Sequence, residues 1–304
     1  MIARIQQLGV LGTALAVAAW LFWCLPDSPG WALAGAVLLA LGWTLPLGLQ
    51  FTWMARANRR DPAPRAGAGQ VLRAAGAEVL AAARVFGWRQ PFRSRSQPDW
   101  LPARAPGAAA PRGVVLVHGF LCNRGIWLPW LPALRARGHA FEAVNLEPVF
   151  GAIDDYVPLI DAAVRRVAQA TGRAPLLLCH SMGGLAVRAW LQAAGADARV
   201  HRVVTLGTPH GGTALARFAY SPNGRQMRVG GDWLALLQRG ERAERAALFT
   251  CWYSNCDQIV FPASTAALPG ATHRFIAGVA HVQMACHPQV LQACLEALDS
   301  DRAG

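Results

Sequence analysis

The segment Cys179-His180-Ser181-Met182-Gly183-Gly184 constrains this chain more than any other. It follows the apolar run 175–178 and leads straight into the apolar segment 185–191, the pattern of a buried strand that turns sharply into a helix. Small residues at such a turn let strand and helix pass close together. A serine at its apex sits at the edge of a sheet, beside the free N–H groups and positive dipole of the helix N-terminus. The pattern is G-x-S-x-G with the small residue Cys179 in the first position. Taken alone, the same residues also suit a serine that merely caps a helix.

The surrounding motifs separate these readings. Residues 113–117 form a short apolar run that ends in His118-Gly119-Phe120, and 203–206 form another that ends in Gly207-Thr208-Pro209-His210-Gly211-Gly212. Acyl transfer passes through a tetrahedral oxyanion that needs two preorganised backbone donors, and the N–H groups of Phe120 and Met182 are the natural pair. Only the backbone is needed there, so the His118 side chain is expected to shape the turn.

With H-G-F, H-S-M-G-G and L-G-T-P-H-G-G in that order, the chain resembles the α/β-hydrolase superfamily, and bacterial lipases and esterases within it, over roughly 111–298. The resemblance implies a catalytic triad in the chain order Ser, Asp or Glu, His, each at the C-terminal end of a strand. Ser181 is the nucleophile. Asp257 directly follows the strand candidate 247–254, and His281 follows the strand-like stretch 273–280. Asp154 and Asp155 come too early in the chain, Asp197 precedes a strand, and Asp232 lies in an insertion. His180 occupies the variable position of the turn, His210 belongs to the Thr-Pro-His-Gly-Gly loop, and His287 marks the start of a final helix. Such chemistry requires no cofactor. The calcium-binding aspartates of some bacterial lipases have no counterpart around His281, so no metal is expected.

Outside this region, 8–25 and 31–54 are nearly free of charge and close to bilayer-spanning length, with Pro26-Asp27-Ser28-Pro29-Gly30 as the turn between them. This predicts a transmembrane helical hairpin over 1–55, with Pro46 tolerated in lipid and Trp20, Trp23, Trp31 and Trp53 near the segment ends. A cleaved signal peptide is the alternative, but no small-x-small site precedes the turn. Residues 56–110 read as a basic linker carrying a helix over 70–88, with Leu72, Val79, Leu80, Ala83 and Phe86 on one side and Arg73, Glu78 and Arg84 elsewhere. That helix could lie on the membrane or pack on the catalytic domain. Residues 97–112, rich in Pro and Ala, complete the linker.

The net charge of +12 comes with arginine as its only basic side chain, and many of the arginines flank the apolar segments. Anionic membrane lipids are the expected partner, and no nucleic-acid-binding module is present. Arg4 before the hairpin and Arg56, Arg59, Arg60 and Arg65 after it place the catalytic domain in the cytoplasm. The odd count of seven cysteines, with no C-x-x-C pair, fits free thiols in a reducing compartment.

Within 111–304, helices at 127–137, 154–171 and 185–194 alternate with strands. This predicts an α/β fold with a doubly wound, mostly parallel sheet. Residues 213–245 are too long for a simple crossover and are expected to form a lid or acyl-chain wall over Ser181, using Trp233 and Leu237 among others; an ordinary crossover helix is the alternative. The leading function is a membrane-anchored carboxylic-ester hydrolase acting on an ester or lipid. A thioesterase or acyltransferase on the same triad, or a non-catalytic scaffold that keeps the fold, remain alternatives.

Overall fold

The computed structural model describes residues 1–103 and 111–300. The middle of the 97–112 linker and the last four residues of the expected catalytic domain lie outside them. The chain begins with helix α1 (Ile2–Cys24), uncharged apart from Arg4. A short turn leads into α2 (Pro29–Leu41), whose leading proline suits the first helical turn, where its missing N–H costs nothing. The helix folds back along α1, and the Trp20 indole N–H donates to the carbonyls of Trp31 (3.3 Å) and Ala32 (3.2 Å).

The two segments expected to form a transmembrane hairpin differ in their fit to a membrane. Among the described residues, only α1 is by itself long and apolar enough to cross a membrane. The second segment passes that test only as α2 joined to α3 (Thr44–Ala57) and the turn after it, bent by 54°. Pro46 explains the break: it cannot donate to the carbonyl of Gly42 and its ring crowds that group, so the helix restarts around Thr44. Alone, α2 is 13 residues and about 20 Å long, short of a ~30 Å hydrocarbon core. The end of α3 is withdrawn from any lipid, since Phe51 and Met54 are buried against Cys256, Phe261 and Ala280. Trp53 likewise stacks on Phe218 at 5.3 Å.

Residues 56–103 are not a free tether either. Asn58 is buried and accepts the Ala263 N–H (3.0 Å), while Asp61 accepts the Ser264 hydroxyl (2.5 Å). Helix α4 (Ala68–Arg84) runs on through a π-turn (Val85–Arg89) into α5 (Gln90–Phe92). Its inner face is Ala74, Glu78, Ala82 and Val85, whereas Leu72 and Leu80, expected on the apolar side, are exposed. Small residues won that face because α4 lies close against the catalytic domain, and leucines there would hold it off.

Six short strands form one parallel sheet: β1 (Val114–Val117), β2 (Phe141–Val144), β3 (Leu176–His180), β4 (Arg202–Leu206), β5 (Phe249–Tyr253) and β6 (Thr272–Phe275), the first five largely buried and β6 exposed at the edge. Their order is β2-β1-β3-β4-β5-β6. Beyond β2, Trp100 makes an antiparallel bridge to Phe141. The chain leaves β1 in one direction to build β2 and returns to build β3 on its other side, so a crevice opens at the C-terminal ends of β1 and β3. The two turns that carry Phe120 and Ser181 meet in that crevice.

Helices cover both faces. On one, α7 (Val157–Thr171) and α8 (Met182–Ala194) bury Ile160, Val164, Leu185 and Trp190 against Val115 and Leu177. On the other, α6 (Leu131–Ala136) and α12 (Pro288–Ser300) bury Leu131, Leu134, Val290 and Leu295 against Leu116 and Leu178.

The expected lid at 213–245 divides into two short helices, α9 (Pro222–Gln226) and α10 (Asp232–Arg239). Helix α10 packs on the core: Leu234 and Leu237 join the cluster around α8, and the Trp233 indole donates to Asp154 (2.8 Å). Alternation of apolar residues cannot tell a core-facing stripe from a ligand-facing one. Leu237→Ala is therefore expected to cost about 3 kcal/mol of stability, measured by thermal unfolding, with equal effects on short and long esters. Selective loss of the long-chain substrate would restore the lid.

Candidate active site

Ser181 sits at the apex of the turn between β3 and α8 with φ +55°, a left-handed conformation that a non-glycine residue adopts only under constraint. Two hydrogen bonds hold it there: its N–H donates to Leu206 (2.9 Å), and the Thr208 hydroxyl donates to its carbonyl (2.8 Å). The sharp turn brings α8 so close to β1 that a Cβ on Gly183 would lie 2.4 Å from the Val117 carbonyl oxygen. Cys179, by contrast, is an ordinary buried residue of β3, paired between Val117 and Thr205. The turn closes after it, which is why cysteine is accommodated where the motif has glycine.

Asp257 follows β5, buried, with one carboxylate oxygen accepting the N–H groups of Ile259 (3.0 Å) and Val260 (2.8 Å). The other oxygen meets Nδ1 of His281 at 2.8 Å. His281 does not come directly off a strand, since β6 ends at Phe275; it opens the short helix α11 (His281–Ala285). Between the two lies Gly207, φ +56°, where a Cβ would stand 2.7 Å from the Asp257 carboxylate and 3.1 Å from His281 Nδ1. Glycine is required there for both backbone and space. The Ser254 hydroxyl accepts the N–H groups of Cys256 and Val279 (3.1 Å each), tying the acid loop to the histidine loop.

Burial alone would push the His281 pKa down, but the Asp257 carboxylate, and more weakly the Glu78 carboxylate, outweigh it and raise it. Nε2 is the ring nitrogen left for Ser181. No hydrogen bond joins it to Ser181 Oγ in this state; in unliganded sites such contacts tighten only with substrate. The Phe120 N–H makes no backbone hydrogen bond, and that of Met182, the first residue of α8, has no intrahelical acceptor, so both are unspent donors beside Ser181.

The other histidines have different surroundings. His118 Nδ1 contacts the Gly119 carbonyl (2.8 Å) and Nε2 accepts the Leu146 N–H (3.0 Å), while burial drops its pKa to about 4. It shapes the turn. His210 is packed in the core against Thr205 (3.1 Å), and burial, reinforced by Arg188, keeps it neutral. His180 lies tilted against His281 with ring centroids 4.6 Å apart; burial and the facing His281 hold its pKa well down. His287 is half-buried, after α11. Among the acids, Asp154 and Asp155 serve the turn before α7, Asp197 pairs with Arg245 (2.6 Å), and Asp232 opens α10. Among the described residues, no cluster of histidine, cysteine and acidic side chains has the geometry of a metal site.

Sequence reasoning missed Glu78 and Gln258. Glu78 was expected away from the packing face, yet it is buried within hydrogen-bonding distance of α11 and of Gln258, the residue after Asp257. A signal was present: at positions 74, 78, 82 and 85 a helical stripe of Ala, Glu, Ala and Val puts one charge among small apolar residues.

A family model described as "Alpha/beta hydrolase family" matches residues 114–298. Among solved structures, the mature form of the Bacillus licheniformis lipase BlEst2 superposes with a TM-score of 0.56 at 20% identity, covering 65% of this chain and 95% of that one. Aspergillus fumigatus lipase B gives 0.56 at 16% identity, over 65% and 55%. A search of curated proteins found no match.

Proposed function

This chain belongs to the alpha/beta hydrolase family, and on that premise we propose that it is a membrane-anchored serine hydrolase that cleaves carboxylic esters of the lipase or esterase type. The observation that carries the reading is the 2.8 Å contact between Asp257 and His281 Nδ1, set beside a serine on a positive-φ turn with two unspent backbone donors. With Nδ1–H committed to Asp257, Nε2 is an acceptor and takes the Ser181 proton as Oγ attacks the ester carbonyl. The N–H groups of Phe120 and Met182 stabilise the oxyanion. The imidazolium then protonates the leaving alcohol, and water repeats the sequence on the acyl-enzyme. The Bacillus licheniformis and Aspergillus fumigatus proteins similar in fold are lipases, which supports an ester with an apolar chain as substrate.

The anchor supports a lipid substrate. Gln6 of α1 donates to the Leu121 carbonyl (3.1 Å) just beyond Phe120, and the end of α3 packs beside the acid loop, so both ends of the apolar region meet the rim of the site. Leu121 and Phe150 are exposed next to Phe120, whose ring lies 6.0 Å from that of Phe150. Arg56, Arg59 and Arg217 line a cleft with Trp53 and Phe218 where α3 ends, a surface suited to anionic headgroups. Positive residues at both ends of the apolar region support a catalytic domain on the cytoplasmic side.

The test is an aryl-ester panel of graded acyl length on the full chain in anionic vesicles. Hydrolysis blocked by a fluorophosphonate is expected. Absence of both turnover and labelling would remove the ester-hydrolase reading.

A further inference from the structure

We propose that Glu78 is a positioning residue of this active site, supplied by α4 from outside the hydrolase fold, which sets the relative placement of the Asp257 and His281 loops. The inference rests on the triad reading above.

Glu78 is 1% exposed, and its oxygens accept three donors. Oε1 takes the Val282 N–H (2.9 Å) and the Gln258 side-chain amide (2.6 Å), and Oε2 takes the Gln283 N–H (2.9 Å). Val282 and Gln283 directly follow His281, and Gln258 directly follows Asp257. The buried Gln258 amide completes the circuit, because its Oε1 accepts the His281 N–H (3.1 Å). One carboxylate therefore holds the start of the helix that carries His281, and through one amide it also holds the residue beside Asp257.

Every partner of the Glu78 carboxylate is a donor, so the site is built for the ionised form. Burial raises its pKa on balance, and the Val282 and Gln283 N–H groups, Gln258 and the nearby His281 pull against that rise. Among the described residues no Arg lies within ion-pair distance of it, and Arg89 is engaged with Cys286 (3.3 Å). The titratable groups facing His281 are Asp257 from the loop after β5, Glu78 from α4 and His180 from β3. His180 is neutral, so Glu78 is the second negative charge favouring the imidazolium that forms as Ser181 attacks. Glutamine at 78 would remove that charge and turn an N–H donor toward a donor already there.

The experiment compares kcat, KM and the pH profile of kcat/KM for the full chain and for Glu78→Gln, Glu78→Asp and Gln258→Met, using a short-chain aryl ester, with thermal unfolding as the fold check. Arg73→Ala on the exposed face of α4 is the control. Misplacement of catalytic groups by about 1 Å costs ~100-fold in rate, so Glu78→Gln is expected to lose kcat on that scale with KM nearly unchanged. Its acidic limb should move to lower pH, because His281 loses a charge that raises its pKa. Glu78→Asp keeps the charge and should return the limb and part of kcat. Wild-type kcat and profile in Glu78→Gln would overturn the proposal, as would a lost kcat with an unmoved limb and lowered unfolding temperature, which assigns Glu78 to folding alone. Should Glu78→Gln not fold, Gln258→Met reads the same link: a lowered kcat with the limb in place supports it, and full kcat overturns it. If His281→Ala retains turnover, the triad reading has failed; if His281→Ala is dead while Glu78→Gln is wild-type, only the present inference has.

Discussion

Ser181→Ala is expected to reduce ester hydrolysis by about 10⁴-fold or more and to abolish labelling by a fluorophosphonate, while the unfolding temperature stays almost unchanged. The Ser181 hydroxyl makes no hydrogen bond that stabilises the turn; its backbone does that work through Leu206 and Thr208. Alanine at φ +55° suffers the same backbone strain as serine, so the substitution removes one oxygen and leaves the fold alone. The Thr208 bond, in contrast, is structural, and Thr208→Val should loosen the turn. Mass spectrometry of the labelled protein decides the matter: a probe adduct on any residue other than Ser181, or one that persists in the alanine variant, refutes the nucleophile.

Asp257→Asn and His281→Ala should each lower turnover by about 10⁴-fold. An asparagine keeps the size of the acid but can present an N–H to Nδ1, favouring the tautomer whose Nε2 is already protonated. The pH dependence gives a second readout. Burial depresses the His281 pKa, but Asp257 and Glu78 raise it above the ordinary imidazole value of 6.5. Catalysis needs the neutral ring, so kcat/KM should fall as the pH drops through that raised value, and residual activity in Asp257→Asn should persist to lower pH. Stability has the opposite sign. A raised folded-state pKa contributes stability that is fully present below about pH 6.5 and is lost as the pH rises through the folded value. Asp257→Asn should remove that contribution, as urea unfolding at pH 5.5 and 8.5 would measure. If His287→Ala, not His281→Ala, were the damaging change, the base would have to be reassigned.

The sheet and its order of motifs were legible because each rests on a local rule. Short apolar runs predict buried parallel strands, and β1, β3, β4 and β5 lie where those runs lie. The sharp turn at Ser181 follows from small residues where a helix must graze a strand, and Gly183 meets the Val117 carbonyl at the distance that demands it. Asp257 and His281 could be chosen by chain order, though nothing local said that their side chains would meet.

Three features were decided only by the folded chain. The bend in the second apolar segment depends on Pro46 together with a docking surface for Phe51 and Met54, and hydropathy registers neither. The fate of Leu234 and Leu237 depended on which apolar surface lay nearest, and they pack into the core around α8. The burial of Glu78 is the sharpest case, because its partners are 180 to 205 residues away in sequence. The sequence by itself determined the strand-turn-helix at Ser181, the ordered strand ends that follow it and the apolar character of the first two dozen residues, all consequences of periodicity and residue size within a few neighbours. Only the tertiary structure decided which charge became buried beside His281 and which apolar stripe faced the core, because both depend on what a distant segment brings within 3–4 Å.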